Sequence, residues 1–202
     1  MIVPLGDWVM REACTQAAGW PAEISVAVNV SPYQFEDCDR LVDVVTRALS
    51  SSGLPGHRLE IEITESVLLR SEKTVLVALH RVRAMGVRVA MDDFGTGYSS
   101  LSQLNSFPFD KIKIDRSFVT DNADTAGQNA IIRAITALGA SLGMSTIAEG
   151  VETLDQLARI RAEGCLSVQG YLFSKPVPVE QISDLLAGFA ARHTTPPASP
   201  SN

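Results

Sequence analysis

The stretch Val87-Arg-Val-Ala-Met-Asp-Asp-Phe-Gly-Thr-Gly-Tyr-Ser-Ser100 decides how the rest of the chain is read. It starts as an apolar, β-branched run, the pattern of a buried strand. It ends in two adjacent carboxylates, Asp92 and Asp93, followed by Phe94, Gly95, Thr96 and Gly97. Glycines there serve a tight turn or the close approach of a ligand. Neighbouring side chains on a strand point to opposite faces, so both carboxylates aim at one point only if the strand is ending there. Two carboxylates at a strand's C-terminal mouth, ahead of a glycine loop, suit hard cations and phosphate. Taken in isolation, an Asp cap followed by a turn Asp reads the same way.

Around this strand, two periodicities alternate. Apolar residues at helical spacing predict helices over 4–18, 39–52, 65–85 with a break near 71, 99–104, 123–142, 153–162 and 180–192. β-Branched alternation predicts strands over 24–30, 58–64, 110–115, 144–149 and 166–170, in addition to the one ending at Asp92. Six strands interleaved with helices imply a parallel sheet with helices outside it. Nearly every strand ends in a polar residue: Asn29, Glu62, Asp92 and Asp93, Lys113 and Asp115, Glu149, Gln169. A doubly wound sheet binds ligands at one switch point. A (β/α)8 barrel builds its site from all its strand ends, so the fold class is an α/β, TIM-like barrel. Such barrels have eight strands in roughly 250 residues; this chain has 202 residues and about six of the eight strands.

Composition narrows the function classes. A net charge of −6 argues against a basic surface for DNA. The three cysteines are scattered and form no C-x-x-C or Cys/His cluster, so neither zinc nor a disulfide framework is indicated, and a reducing cytoplasm fits. No apolar run approaches the ~18 residues that span a membrane, and residues 1–7 do not have the form of a signal peptide.

Each polar strand end has an ordinary reading: Asn29 as a turn residue, Glu62 and Glu65 as helix-start carboxylates, Glu149-Gly150 as a turn, Lys113 as a partner for some acid. Jointly, several acids at one rim would repel and raise one another's pKa. A pair of divalent ions relieves this, and oxygen and amide ligands without Cys or His select Mg2+ or Mn2+. A bridging Asp suits two ions about 4 Å apart that activate water and clamp a phosphoryl group.

Glu62-Ile-Thr-Glu65-Ser, Asp92-Asp-Phe-Gly-Thr-Gly-Tyr-Ser-Ser100, Lys113-Ile-Asp-Arg-Ser-Phe118, Ile147-Ala-Glu-Gly-Val-Glu152 and Gln169-Gly-Tyr-Leu-Phe-Ser-Lys-Pro176, with Asn29-Val-Ser-Pro32, resemble the EAL-domain family. That resemblance implies a bacterial, cytoplasmic phosphodiesterase that linearises cyclic di-GMP to pGpG with two Mg2+ or Mn2+ ions, on a barrel with one antiparallel strand near its start. It implies that Asn29, Glu62 and Asp92 bind the first ion. Asp92 then bridges to a second, held with Asp93 and, directly or through water, Glu149. Lys113 would orient the attacking water or the phosphate, with Glu149 the candidate base. Glu65 would anchor the Phe94, Gly95 and Gly97 loop, while Asp115 and Gln169 complete the rim. The Glu-Ala-Leu motif that names the family, and the segment after it, are absent. The expected organisation is therefore an EAL-type domain over 1–192 lacking its N-terminal strands, and a disordered Pro/Ser-rich tail over 193–202. The absent motif carries a metal ligand, so weak activity is expected. Expected partners are cyclic di-GMP, a second copy of the domain, and sensor or GGDEF-type domains in a longer parent protein. Two other readings stay open. One is a receptor or interaction module without turnover. The other is a barrel aldolase using Lys113 as a Schiff-base nucleophile, which is disfavoured because surrounding acids raise a lysine's pKa.

Overall fold

A computed structural model of the protein describes residues 1–68, 72–95, 104, 106–120 and 125–194. Six strands form one sheet: β1 (Val26–Asn29), β2 (Leu59–Thr64), β3 (Arg88–Phe94), β4 (Lys111–Ile114), β5 (Ser145–Ala148) and β6 (Ser167–Val168). Each pairs with the next in chain order and every pairing is parallel. A sheet whose order never reverses has no switch point, so it curls into a barrel wall instead of a doubly wound layer. The result is a six-stranded half-barrel, open between β1 and β6. The antiparallel strand implied by the family resemblance is not among these six.

The helices described are α1 (Ile2–Ala18), α2 (Cys38–Ser52), α3 (Glu72–Ala84), α4 (Thr125–Ser141), α5 (Leu154–Ala162) and α6 (Ile182–Thr194). Local chemistry explains their starts. Asp37 caps α2 by accepting the Arg40 N–H at 3.0 Å. Thr153 and Gln156 form a reciprocal capping box that starts α5. Residues 65–85 are not one helix: a 3-10 turn (Glu65–Val67) precedes α3. The closing helix runs two residues past 192, to Thr194, ahead of Pro196 and Pro197, which cannot continue a helix. Residues 193 and 194 of the expected tail are thus helical, and 195–202 lie outside the described residues. So do most of the helix expected over 99–104 and the break near 71.

The two faces of the sheet differ in chemistry. Ile61, Ile63, Val89, Met91, Ile112 and Ile114 are fully buried in the core cluster that the helices share. Such burial contributes roughly 1.5–3 kcal/mol per large side chain. Strand alternation turns the intervening residues inward, where they form an ionic wall: Glu60 and Glu62 on β2, Asp92 on β3, Lys111 and Lys113 on β4. Ala90 lies between them on β3, in register with Glu62 on one side and Lys111 on the other. Its methyl group leaves room for side chains of β2 and β4 to meet over β3, and they do: Lys111 pairs with Glu60 at 2.7 Å. All three cysteines are buried and unpaired by disulfides.

Candidate metal centre

Strand β3 ends in a distortion. The β3–β4 register shifts between Met91 and Phe94, and Asp93 takes φ 55, in the left-handed region that Asp tolerates better than most residues. This irregularity turns two neighbouring side chains to one side. An oxygen of Asp92, of Asp93 and of Glu149, at the end of β5, all lie within 4.8 Å of one another. Gly95, at φ 99, then carries the chain past Phe118, whose ring would lie 3.0 Å from any Cβ there. That glycine is required by a turn and a close approach together. Gly97 lies outside the described residues.

Lys113 stands at the centre of the acids. Its Nζ is 2.6 Å from Glu62 Oε2, 2.9 Å from Asp92 Oδ1 and 2.7 Å from Glu149 Oε1. Lys113, Glu62 and Asp92 are buried, and Glu149 is half-buried. Burial alone would lower the lysine's pKa. Hydrogen bonds to Glu149, Glu62 and Asp92 outweigh it and hold the ammonium well above the usual lysine range. A Schiff-base nucleophile needs the opposite shift, which disfavours the aldolase reading on structural grounds. Burial raises Glu62 and Glu149; Lys113 offsets part of this, and Asp92 repels both. Burial also raises Asp93, aided by the charges of Asp92 and Asp115. Asp115 moves the other way. Burial would raise it, but hydrogen bonds from Ser117 prevail as it caps the 3-10 turn Arg116–Phe118.

The remaining expected residues fall around this centre. Asn29 is the last residue of β1, directly beside Glu62 in the ladder, and exposed to the open side. Glu65 is buried, and its Oε2 has no hydrogen-bond partner among the described residues. Gln169 follows β6, its backbone tied to Ala148 and Val151, and it lines the clefts on both the inner wall and the rim. Phe94 ends β3 opposite Ile114. The Glu60–Lys111 pair, one layer below the acids, carried no assignment from sequence; its signal was the i, i+2 spacing to Glu62 and Lys113. Carboxylate oxygens that crowd one point, two of them, on Asp93 and Glu149, with pKa values raised by burial and by neighbouring acids, fit a hard divalent cation. Asp92, Asp93 and Glu149 could hold it; Glu62 reaches the same lysine, and Asn29 stands beside Glu62 in the ladder.

The comparisons with known proteins agree with this geometry. The family model described as the EAL domain matches residues 1–176. The chain is similar to the bifunctional diguanylate cyclase/cyclic di-GMP phosphodiesterase MucR of Pseudomonas aeruginosa, 43% identical over 186 residues, which cover 90% of this chain and 27% of that protein. The solved MucR phosphodiesterase in its c-di-GMP complex aligns with TM-score 0.84 at 44% identity, over 90% of this chain and 80% of that one. The manganese/cy-diGMP complex of Klebsiella pneumoniae BlrP1 aligns with TM-score 0.73 at 30% identity, over 86% of this chain and 45% of that one. The chain spans only 22% to 27% of the length of the first curated relatives it matches. No helix among the described residues is long and apolar enough to cross a membrane.

Proposed function

The chain belongs to the EAL domain family, and from that premise we propose that it hydrolyses one phosphodiester bond of cyclic di-GMP, giving pGpG, with two Mg2+ or Mn2+ ions. The observation that carries this reading is the convergence of Asp92, Asp93, Glu149 and Lys113 at the C-terminal mouth of the sheet. The similarity to proteins named as cyclic di-GMP phosphodiesterases supports the substrate. The ions, when bound, would supply positive charge that polarises the phosphoryl group and makes the attacking water more acidic.

The chain's own residues do the rest. Asp92 and Asp93 fix the charge at the bulge, with Glu62 and Asn29 behind them. Glu149 Oε1 accepts the proton of the attacking water, poised by the 2.7 Å contact with Lys113. Lys113 keeps its proton and presents it to the water or to a phosphate oxygen, a role its raised pKa favours. Glu65 steadies the loop that begins at Phe94 and Gly95 and continues through Gly97. Asp115 and Gln169 line the rim on which the substrate rests. Turnover is expected to be slow, because the wall is open between β1 and β6 and excludes water poorly on that side. The domain over 1–192 would act in a bacterial cytoplasm, as one part of a longer signalling protein or in a homodimer.

Incubation of the purified chain with cyclic di-GMP and Mn2+ or Mg2+ tests this. Slow formation of pGpG is expected, abolished by chelation and by Asp92→Ala. Product that persists at the same rate in Asp92→Ala overturns the assigned centre. One observation favours a second reading, a receptor without turnover: Lys113 pairs with Glu62, Asp92 and Glu149 together and offsets part of their charge. Calorimetric binding of cyclic di-GMP with no pGpG under any divalent ion would establish that reading instead.

A further inference from the structure

The backbone that follows Asp93 rests on two apolar side chains. A Cβ built on Gly95 would meet the Phe118 ring at 3.0 and 3.2 Å and Ile135 Cδ1 at 3.6 Å. Ile135 is buried and fixed by its place in the long helix α4. Phe118 is carried by the short 3-10 turn Arg116–Phe118, whose type of hydrogen bonding is the weaker of the two helical kinds. That turn is held from outside. Gln128 on α4 donates to Ser117 O at 2.9 Å and to Thr120 O at 3.1 Å, two carbonyls that bracket Phe118. Arg159 on α5 donates to Val119 O, and through its other nitrogen to Asn129 Oδ1 on α4 at 3.0 Å, so both helices grip the same turn. Gln128 is 8% exposed, and its Oε1 has no hydrogen-bond partner among the described residues. A buried amide with an unmatched oxygen is costly, and Leu or Met would fill the space without that cost. What the glutamine adds is a double donor.

We propose that Gln128 is a positioning residue for the metal centre. It acts at one remove. It pins the carbonyls on both sides of Phe118, Phe118 supports Gly95, and Gly95 sets where the left-handed Asp93 presents its carboxylate beside Asp92 and Glu149. Close packing makes such a chain stiff, because there is little void in which a shift at Phe118 could be absorbed. Ligand atoms must be held to within about 0.5 Å, and residues behind the ligands supply that precision. This rests on the reading of Asp92, Asp93 and Glu149 as a cation site, and it names what keeps that site in shape.

The test is Mn2+ binding to the whole chain without substrate, by calorimetry, with melting curves recorded in EDTA. Gln128→Met keeps the volume and removes both donors. Phe118→Leu keeps the support apolar and trims it. Val45→Ala opens a cavity under α2, away from the turn, and serves as the control for lost stability. Gln128→Met and Phe118→Leu are each expected to weaken Mn2+ binding by about ten- to a hundredfold. Val45→Ala is expected to lower Tm and to leave the affinity within about twofold of wild type. Wild-type affinity in Gln128→Met, or an equal loss in Val45→Ala, overturns the inference. Arg159→Met removes the other arm of the clamp and is expected to weaken Mn2+ binding in the same direction. If Gln128→Met does not fold, wild-type affinity in Arg159→Met overturns the inference in its place. A wild type that takes up no Mn2+ overturns the cation reading and this inference with it; a wild type that binds beside a Gln128→Met that binds as tightly overturns this inference alone.

Discussion

Lys113 on β4 and Glu62 on β2 meet although β3 lies between them: Nζ stands 2.6 Å from Oε2. Ala90, fully buried and in register with Glu62, is the residue they pass over. Ala90→Leu is therefore expected to force the pair apart and to overpack the wall, costing about 1–3 kcal/mol. Thermal unfolding measures the cost, and loss of metal-dependent turnover without loss of fold would separate the electrostatic effect from the packing effect.

Removal of the lysine leaves buried acids facing one another. Lys113→Met should destabilise the metal-free chain by about 3 kcal/mol, the scale for breaking a buried ion pair. In a chain of this size that is roughly 6–12 °C in Tm. Mn2+ should restore part of the loss, because an ion at Asp92, Asp93 and Glu149 supplies the missing charge. Equal melting of wild type and variant in EDTA would refute the role assigned to Lys113.

The pH dependence has two windows of opposite origin. Glu62 and Glu149 titrate above their ordinary value of 4.5 in the folded chain. The folded state thus holds protons that the unfolded chain has released, and these groups lower metal-free stability as pH rises from 4.5 through their folded values. Mn2+ competes with those protons, so its stabilising increment should grow from pH 5 to pH 8. Lys113 is the converse: its contribution is complete below 10.5 and is lost as pH rises through its higher folded value. Melting curves with EDTA and with Mn2+ across this range check both signs.

Asp93 trades stability for function. It combines a left-handed backbone with a carboxyl raised by burial and by the charges of Asp92 and Asp115. Asn tolerates the same φ and removes the charge. Asp93→Asn should therefore raise metal-free stability, by about 0.5–1 kcal/mol on the scale of other relieved active-site strain, while it lowers turnover more than about 100-fold, beyond the usual effect of losing an outer-sphere partner. A variant that is both less stable and fully active would contradict both halves.

Gly170 ties the last strand to the rim. A Cβ there would lie 2.1 Å from Val151 O and 2.3 Å from Val151 N. Val151 N–H donates to Gln169 O and Leu172 N–H to Val151 O, so Gly170→Ala must break that crossing. The expected result is a loss of about 1–3 kcal/mol together with weaker cyclic di-GMP binding, because Gln169 and Tyr171 move with it.

Much of this is legible in the sequence. The six strands were readable because each is short, β-branched and bounded by breakers, and the site residues because they terminate those strands. Other features were not. Arg58 began a predicted strand, yet it is buried and staples the end of α1, donating to Ala17 O and Ile24 O at 2.7 Å each. Alternation puts Lys111 and Lys113 on one face but does not reveal that Glu60 and Glu62 lie across from them, since register between non-adjacent strands leaves no local trace. The two adjacent aspartates posed a contradiction with strand alternation that only a bulge resolves.

The family, the parallel α/β architecture and the identity of the acids follow from the chain alone, because residue type and period are local properties. What tertiary structure decided is which acids meet. The curl of the sheet brings β2 and β4 together over one alanine. The bulge at Asp92 and Asp93 turns both carboxylates toward Glu149. The buried ammonium of Lys113 holds that charge in place, because the low dielectric there makes each contact strong and each unpaired charge costly.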